Sequence, residues 1–236
     1  MKGFILAGGE GTRLRPLTLE IPKPLLTVRR IPVINYLVDL YLDHGINDIR
    51  INIQRKHMED FYKWKATYYP HRKIEFLIEE EPSGTFAPLV RVEDDWFSEP
   101  IVVTNGDELK EFDVSEVFSW HLNRNAIATI GLVEVEDPRH YGVAITEGDL
   151  IVDFIEKPQN PPSNYINSGF YVLSPEIKKY YPKGANFAML ELDLFPKLAA
   201  ERKLHGYKLK GRWMDIGTFE RWEKAIMIWH HERITR

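Results

Sequence analysis

Short apolar runs bounded by turn residues recur along the first half of the chain, at Phe4–Ala7, Ile49–Ile53, Ile74–Ile78 and Ile101–Thr104. Runs of this kind predict short, mostly buried strands. Between the first two lies a helical stripe. Ile34, Leu37, Val38, Tyr41 and Leu42 fall at i, i+3, i+4, i+7 and i+8, with Gly45 where a helix would end. Strands alternating with helices predict a parallel sheet covered on both faces, a doubly wound α/β half.

The second half changes character. Ala126–Val135, Val143–Thr146, Leu150–Ile155 and Asn167–Leu173 read as strands with few helices between them, and Glu147-Gly148-Asp149 reads as a hairpin turn. Helices return at Ala188–Ala200 and Thr218–His230, with Thr218 as an N-cap. Pro158 to Pro162 is a short stiff loop rather than a domain boundary. The fold class expected is α/β: a Rossmann-like doubly wound mixed sheet with an inserted antiparallel part, in one domain over 1–236.

Composition narrows the chemistry. The 236 residues contain no cysteine, which excludes disulfides, thiolate metal sites and a thiol nucleophile. Thirty-one basic residues against 35 acidic ones give a net charge of −4, and no basic block is long enough for a nucleic-acid patch. No run reaches the roughly 7–15 apolar residues of a signal peptide or the about 20 of a membrane span. The expectation is a soluble, cytoplasmic protein with neither nucleic acid nor membrane as partner. His230 and His231 are adjacent without metal-ligand spacing and read as solvated.

The densest chemistry follows the first strand, in Gly8-Gly9-Glu10-Gly11-Thr12-Arg13-Leu14-Arg15-Pro16. Glycines beyond a buried strand let backbone N–H groups converge on an anion, and Arg13 and Arg15 could add forked bonds to phosphate oxygens. A P-loop would need Gly-Lys-Ser/Thr, and a dinucleotide fingerprint would need glycine where Leu14 stands. Both are absent. Lys23 lies between Pro22 and Pro24, which fixes an ammonium on a stiff, extended backbone. Asp107 ends the strand Ile101–Thr104, where a carboxylate could hold Mg²⁺. Asp215 precedes the last helix, and is either its partner on the metal or a charge favouring the helix N-terminus. Glu156-Lys157 is a sugar and phosphate contact or a plain surface pair, and Asn167 could present an amide to a polyol.

In order, LAGGEGTRLRPLT, PKPLL, EEEPSGTFAPL, NGD, YGVA, EKP, NSGFYV and WMDIGT resemble the sugar-1-phosphate nucleotidyltransferases, from Lys2 to about Ala225. The resemblance implies transfer of a nucleoside monophosphate from a nucleoside triphosphate to a sugar 1-phosphate, with Mg²⁺ as cofactor. It implies that Leu6, Ala7, Gly8, Gly9, Gly11, Thr12 and Gly106 wrap the nucleotide and that Arg13 holds its β- and γ-phosphates. Lys23 would neutralise the α-phosphate, Asp107 and Asp215 would hold the metal, and Lys157 would grip the sugar phosphate. Gly142, Glu156 and Asn167 would meet sugar hydroxyls. The run Glu81, Pro82, Ser83, Gly84, Thr85 resembles the base-reading loop of guanylyltransferases acting on mannose or heptose 1-phosphate, with Glu80 or Glu81 accepting from guanine. Uridylyl or thymidylyl transfer to a hexose phosphate and a non-catalytic nucleotide-sugar sensor remain alternatives; a nicotinamide-dependent oxidoreductase lacks its third glycine. The nucleotide part would span about 1–110 and the sugar-phosphate part about 111–236. Longer members of the family add a left-handed β-helix, for which these residues have no segment. Dimerisation is left open, through exposed aromatics such as Trp229.

Overall fold

A computed structural model describes residues 1–230. The strands, in chain order, are β1 (Lys2–Leu6), the hairpin β2 (Thr27–Val28) and β3 (Ile31–Pro32), β4 (Asp48–Gln54), β5 (Lys73–Glu79), β6 (Ile101–Asn105) and β7 (Glu108–Glu111). They continue with β8 (Ala128–Glu134), β9 (Gly142–Glu147), β10 (Leu150–Glu156), β11 (Tyr165–Leu173), β12 (Leu204–Lys208) and β13 (Arg212–Asp215). The α-helices are α1 (Leu17–Glu20), α2 (Val33–Asp43), α3 (Met58–Tyr68), α4 (Ala87–Val90), α5 (Val114–Asn123), α6 (Phe195–Ala200) and α7 (Phe219–Ile228).

Nine strands form one mixed sheet in the order β5-β4-β1-β6-β11-β8-β12-β10-β9. The β5, β4, β1 and β6 strands run parallel, and the first and fourth of them in sequence lie side by side. That reversal of winding opens a crevice beyond the carboxyl ends of β1 and β6. The antiparallel part is not laid against this half but prolongs it, because β11 pairs edge to edge with β6. Apolar side chains fill both faces, Tyr171 and Phe195 on one and Tyr41 and Phe170 on the other.

Local signals hold where predicted. Ile34, Leu37, Val38 and Tyr41 of α2 are buried, and Gly45 (φ 74°) closes the helix just past its cap. Ile46 N donates to Tyr41 O and Gly45 N to Leu42 O, a paired bond pattern that satisfies two terminal carbonyls. Thr218 caps α7, its Oγ1 accepting from Arg221 N. A two-residue turn at Gly148 and Asp149 joins β9 to β10.

Other expectations need correction. The segment expected as helix from Ala188 begins extended, passes through a π-helical turn at Leu190–Leu194 and becomes α-helical at Phe195. Pro196, in the first turn of α6, has no N–H to bond backward, so regular winding starts there. Trp229 is not exposed: it is buried with Leu14 and Ile216 under the Arg212 guanidinium. His230 rests against Arg29, whereas His231 lies outside the described residues. Among the described residues no helix is long and apolar enough to cross a membrane.

Candidate active site

Two cavities open beyond the carboxyl ends of β1 and β6 and share a wall. The larger, about 420 Å³, is lined by Leu6, Ala7, Gly8, Gly9, Gly11, Thr12, Arg13, Lys23, Pro82, Gly84, Thr85 and Asp107. The smaller, about 170 Å³, is lined by Gly142, Glu156, Lys157, Asn167, Asp107 and Asp215, again with Arg13 and Lys23. Arg13, Lys23 and Asp107 therefore stand where the cavities meet. Residues drawn from one end of the sequence to the other thus line these two cavities.

The glycine loop is shaped from beneath. A Cβ on Gly8 would fall 2.4 Å from Glu79 Oε2 and 2.5 Å from Asn52 Nδ2. Asn52 accepts from Ala7 N and donates to Glu79, and Gln54 donates to Gly8 O, so buried polar side chains fix the turn leaving β1. Gly11 has φ 62°, left-handed backbone that suits glycine, and Thr18 donates to its carbonyl. Arg13 faces the cavities but Arg15 does not: its guanidinium pairs with Glu10 at the surface.

Lys23 differs from its expected setting in two respects. It opens a 3₁₀ turn, Lys23–Leu25, instead of running extended, and it is buried. Its Nζ donates to Asp107 Oδ2. Burial opposes ionisation of Asp107, but the charge of Lys23, with Lys110 and Arg13, outweighs it and holds the carboxyl below the ordinary carboxylate range.

The two aspartates are brought together by a ribbon. Strands β7 and β13 pair antiparallel, Asp215 opposite Glu108 and Trp213 opposite Lys110. Asp107, immediately before β7, thus lies at the same end as Asp215, and Ile216 N donates to Asp107 O at 3.3 Å. Asp215 accepts from Gly217 N at 2.7 Å, from Tyr141 and from Arg221 at 3.2 Å. All the donors these two carboxylates offer are oxygens, the set a hard divalent cation takes together with ligand phosphates. Among the described residues no group of three or more His, Asp or Glu side chains could hold a metal without such help.

In the smaller cavity, Lys157 takes left-handed backbone (φ 48°), its N–H bonded to Tyr141 O and its ammonium 2.8 Å from Glu156. A Cβ on Gly142 would collide with the Phe154 ring. Asn167 donates to Tyr171 and accepts from Gly169 N. Gly106 lines neither cavity; its N–H bonds Leu6 O, and a Cβ there would come 2.9 Å from that oxygen.

The acidic run is placed differently from expectation. Glu80 pairs with Arg55 at the surface, and neither it nor Glu81 lines a cavity. Of this acidic run it is Glu79 that lies beneath the glycine loop, buried and bonded by Asn52 and Ser83. Sequence reasoning also missed Asn105, Glu108, Tyr141, Glu191 and Arg221, all lining the smaller cavity. Asn105 Oδ1 is buried without a partner among the described residues, and burial raises the pKa of Glu108 and of Glu191. Asn105 and Tyr141 stood inside recognisable motifs, NGD and YGVA; the others come from strand ends and helix turns without a distinctive pattern.

Residues 2–232 match the nucleotidyl transferase family. The chain belongs to that family. Among other nucleotidyl transferases, a mannose-1-phosphate guanyltransferase of Yarrowia lipolytica is 37% identical over 224 residues, 92% of this chain. One of Saccharomyces cerevisiae is 35% identical over 225 residues. The chain spans 61% of the length of these relatives. Two solved structures superpose closely. A protein described as a glucose-1-phosphate thymidylyltransferase from Bacillus anthracis, in complex with a sucrose, has a TM-score of 0.86 at 28% identity, covering 97% of this chain and 94% of its own. HddC from Yersinia pseudotuberculosis, complexed with GMP-PN, has a TM-score of 0.80 at 29% identity, covering 96% and 98%.

Proposed function

We propose that the chain transfers a nucleoside monophosphate from a nucleoside triphosphate to a sugar 1-phosphate, giving a nucleotide-sugar and pyrophosphate. One observation carries this reading: the two cavities meet at Arg13, Lys23 and Asp107. Two anions must approach each other there, and repulsion rather than bond chemistry is the obstacle. The sugar phosphate is already a nucleophile, so no general base is needed. One of its oxygens attacks the α-phosphorus in line while pyrophosphate leaves on the far side.

Each residue then has a task. The Gly8–Thr12 loop cradles the triphosphate, Arg13 holds its outer phosphates, and Lys23 neutralises the α-phosphate as charge shifts. Lys157 binds the sugar phosphate, and Gly142, Glu156 and Asn167 face the sugar hydroxyls. Asp107 and Asp215 would hold a divalent cation, for which Mg²⁺ is our assignment, and when bound it supplies positive charge against the phosphates. Division of labour follows the cavities rather than the 110/111 boundary, since Met189 and Gly217 line the larger one. Absence of cysteine agrees with a cytoplasmic setting.

The preferred pair is GTP with mannose or heptose 1-phosphate, supported by the guanyltransferase relatives and by the GMP-PN complex of HddC. Asn52, bonded to Glu79, lines the larger cavity where Glu80 and Glu81 do not, and is the candidate polar contact for the base. Thymidylyl transfer to a glucose phosphate is the second reading, favoured by the fold match to the Bacillus anthracis protein. Pyrophosphate release, measured with Mg²⁺ for each nucleoside triphosphate against mannose, heptose and glucose 1-phosphates, tests both. Release with one pair names the substrates; no release, with tight nucleotide-sugar binding, makes the chain a sensor instead.

A further inference from the structure

One wall of the larger cavity belongs neither to the glycine loop nor to the carboxylates. Residues 184–189 reach the π-helical turn without regular structure, yet they are firmly tied. Ala188 N donates to Ser83 O at 3.0 Å, and Phe86 N donates to Ala188 O at 2.9 Å. Gly84 (φ 88°) permits this approach, because a Cβ there would lie 2.2 Å from Ala188 O.

Ala188 is fully buried, and the residues flanking it on the extended strip, Phe187 and Met189, both face the cavity. Phe187 is 57% exposed and makes no ring contact among the described residues. A phenyl ring held on a tethered backbone, bare at the mouth of a cavity, offers a flat apolar face. Phosphates have no use for such a face, and Phe187 does not line the smaller cavity assigned to the sugar; a nucleobase fits it, since every base presents a π surface.

Granted the nucleotide-transfer reading above, on which this assignment rests, we propose that Phe187 is the stacking platform for the nucleobase. Met189 beside it supplies a polarisable apolar contact. Stacking is blind to the hydrogen-bonding edge, so Phe187 sets affinity and favours the larger purine face, while the edge is read elsewhere.

Calorimetric titration of wild type, Phe187→Ala and Phe187→Trp with GTP, UTP and inorganic tripolyphosphate tests this. Stacking predicts that Phe187→Ala binds GTP about 5- to 100-fold more weakly, loses less for UTP and is unchanged for tripolyphosphate, while Phe187→Trp retains GTP affinity. Unchanged GTP affinity in Phe187→Ala, or an equal loss for tripolyphosphate, would overturn the assignment while leaving the nucleotide reading standing. A wild type that binds none of the nucleotides would overturn both.

Discussion

Lys23 and Asp107, 84 residues apart in the chain, form an ion pair at the junction of the two cavities. On the proposed reading the pair opens when ligands arrive, the ammonium turning to a phosphate and the carboxylate to a cation. Replacing either, by Lys23→Met or Asp107→Asn, should lower kcat/KM by about a hundredfold or more, about 3 kcal/mol of transition-state stabilisation. Stability should also report the pair. Because Lys23 keeps the Asp107 pKa depressed, its contribution is complete above the ordinary carboxylate value and lost as pH falls through the depressed one. The stability gap between wild type and Lys23→Met should therefore narrow on acidification, as read by urea midpoints. A gap that stays constant with pH would count against the pairing.

The ribbon that joins Asp107 to Asp215 rests on a buried ion pair. Lys110 is buried with its ammonium 2.5 Å from Glu108, which also accepts from Asn105 and Trp213. Lys110→Met leaves that carboxylate uncompensated and should cost about 3–5 kcal/mol. Adding Glu108→Gln should restore part of the loss. Guanidinium unfolding of the single and double variants decides this, and additive losses would refute it.

Gly84 and Gly9 make a contrasting pair in the same cavity wall. Gly84→Ala puts a methyl group into the Ala188 carbonyl on left-handed backbone and should cost about 1–3 kcal/mol, with weaker nucleotide binding. Around Gly9 nothing lies within 4 Å of a new Cβ, so Gly9→Ala should leave the melting temperature within about 2 °C of wild type. Thermal melts of the two proteins separate the cases.

How far the sequence discloses this arrangement depends on the range of the cause. Helix α2 and its Gly45 ending, the Thr218 cap and the loop after β1 are local matters of spacing and backbone freedom, and all were legible. Strands β7 and β13 were not, because Glu108-Leu109-Lys110-Glu111 reads as polar surface until its partner, more than a hundred residues away, covers the charges. Three consecutive glutamates look equivalent in sequence; only the end of β5 at Glu79, with side chains alternating between faces, decides that Glu79 turns inward and Glu80 out to Arg55. Arg13 and Arg15 likewise look alike in sequence, yet Arg13 lines the cavities and Arg15 pairs with Glu10 at the surface.

His121 provides a probe far from the chemistry. It is buried, with Nδ1 bonded to Thr129 and Nε2 to Ser174, and burial, helped by His205, lowers its pKa to about 4. A depressed histidine contributes stability fully above its unfolded value, and that contribution is lost as pH falls toward the folded one. Between about pH 6.5 and 4 the protein should lose up to roughly 3 kcal/mol through this residue. His121→Gln should flatten that part of the profile. An NMR titration with the ring midpoint near its free value would contradict the assignment.

The most direct test of the central claim follows one oxygen. Mannose 1-phosphate labelled with ¹⁸O in its phosphate would be incubated with GTP, Mg²⁺ and the protein, and the products read by ³¹P NMR. Attack on the α-phosphorus by the sugar phosphate predicts label in the oxygen bridging the two phosphorus atoms of the nucleotide-sugar, and unlabelled pyrophosphate. Label in the pyrophosphate, or consumption of GTP without coupled nucleotide-sugar, would contradict the account.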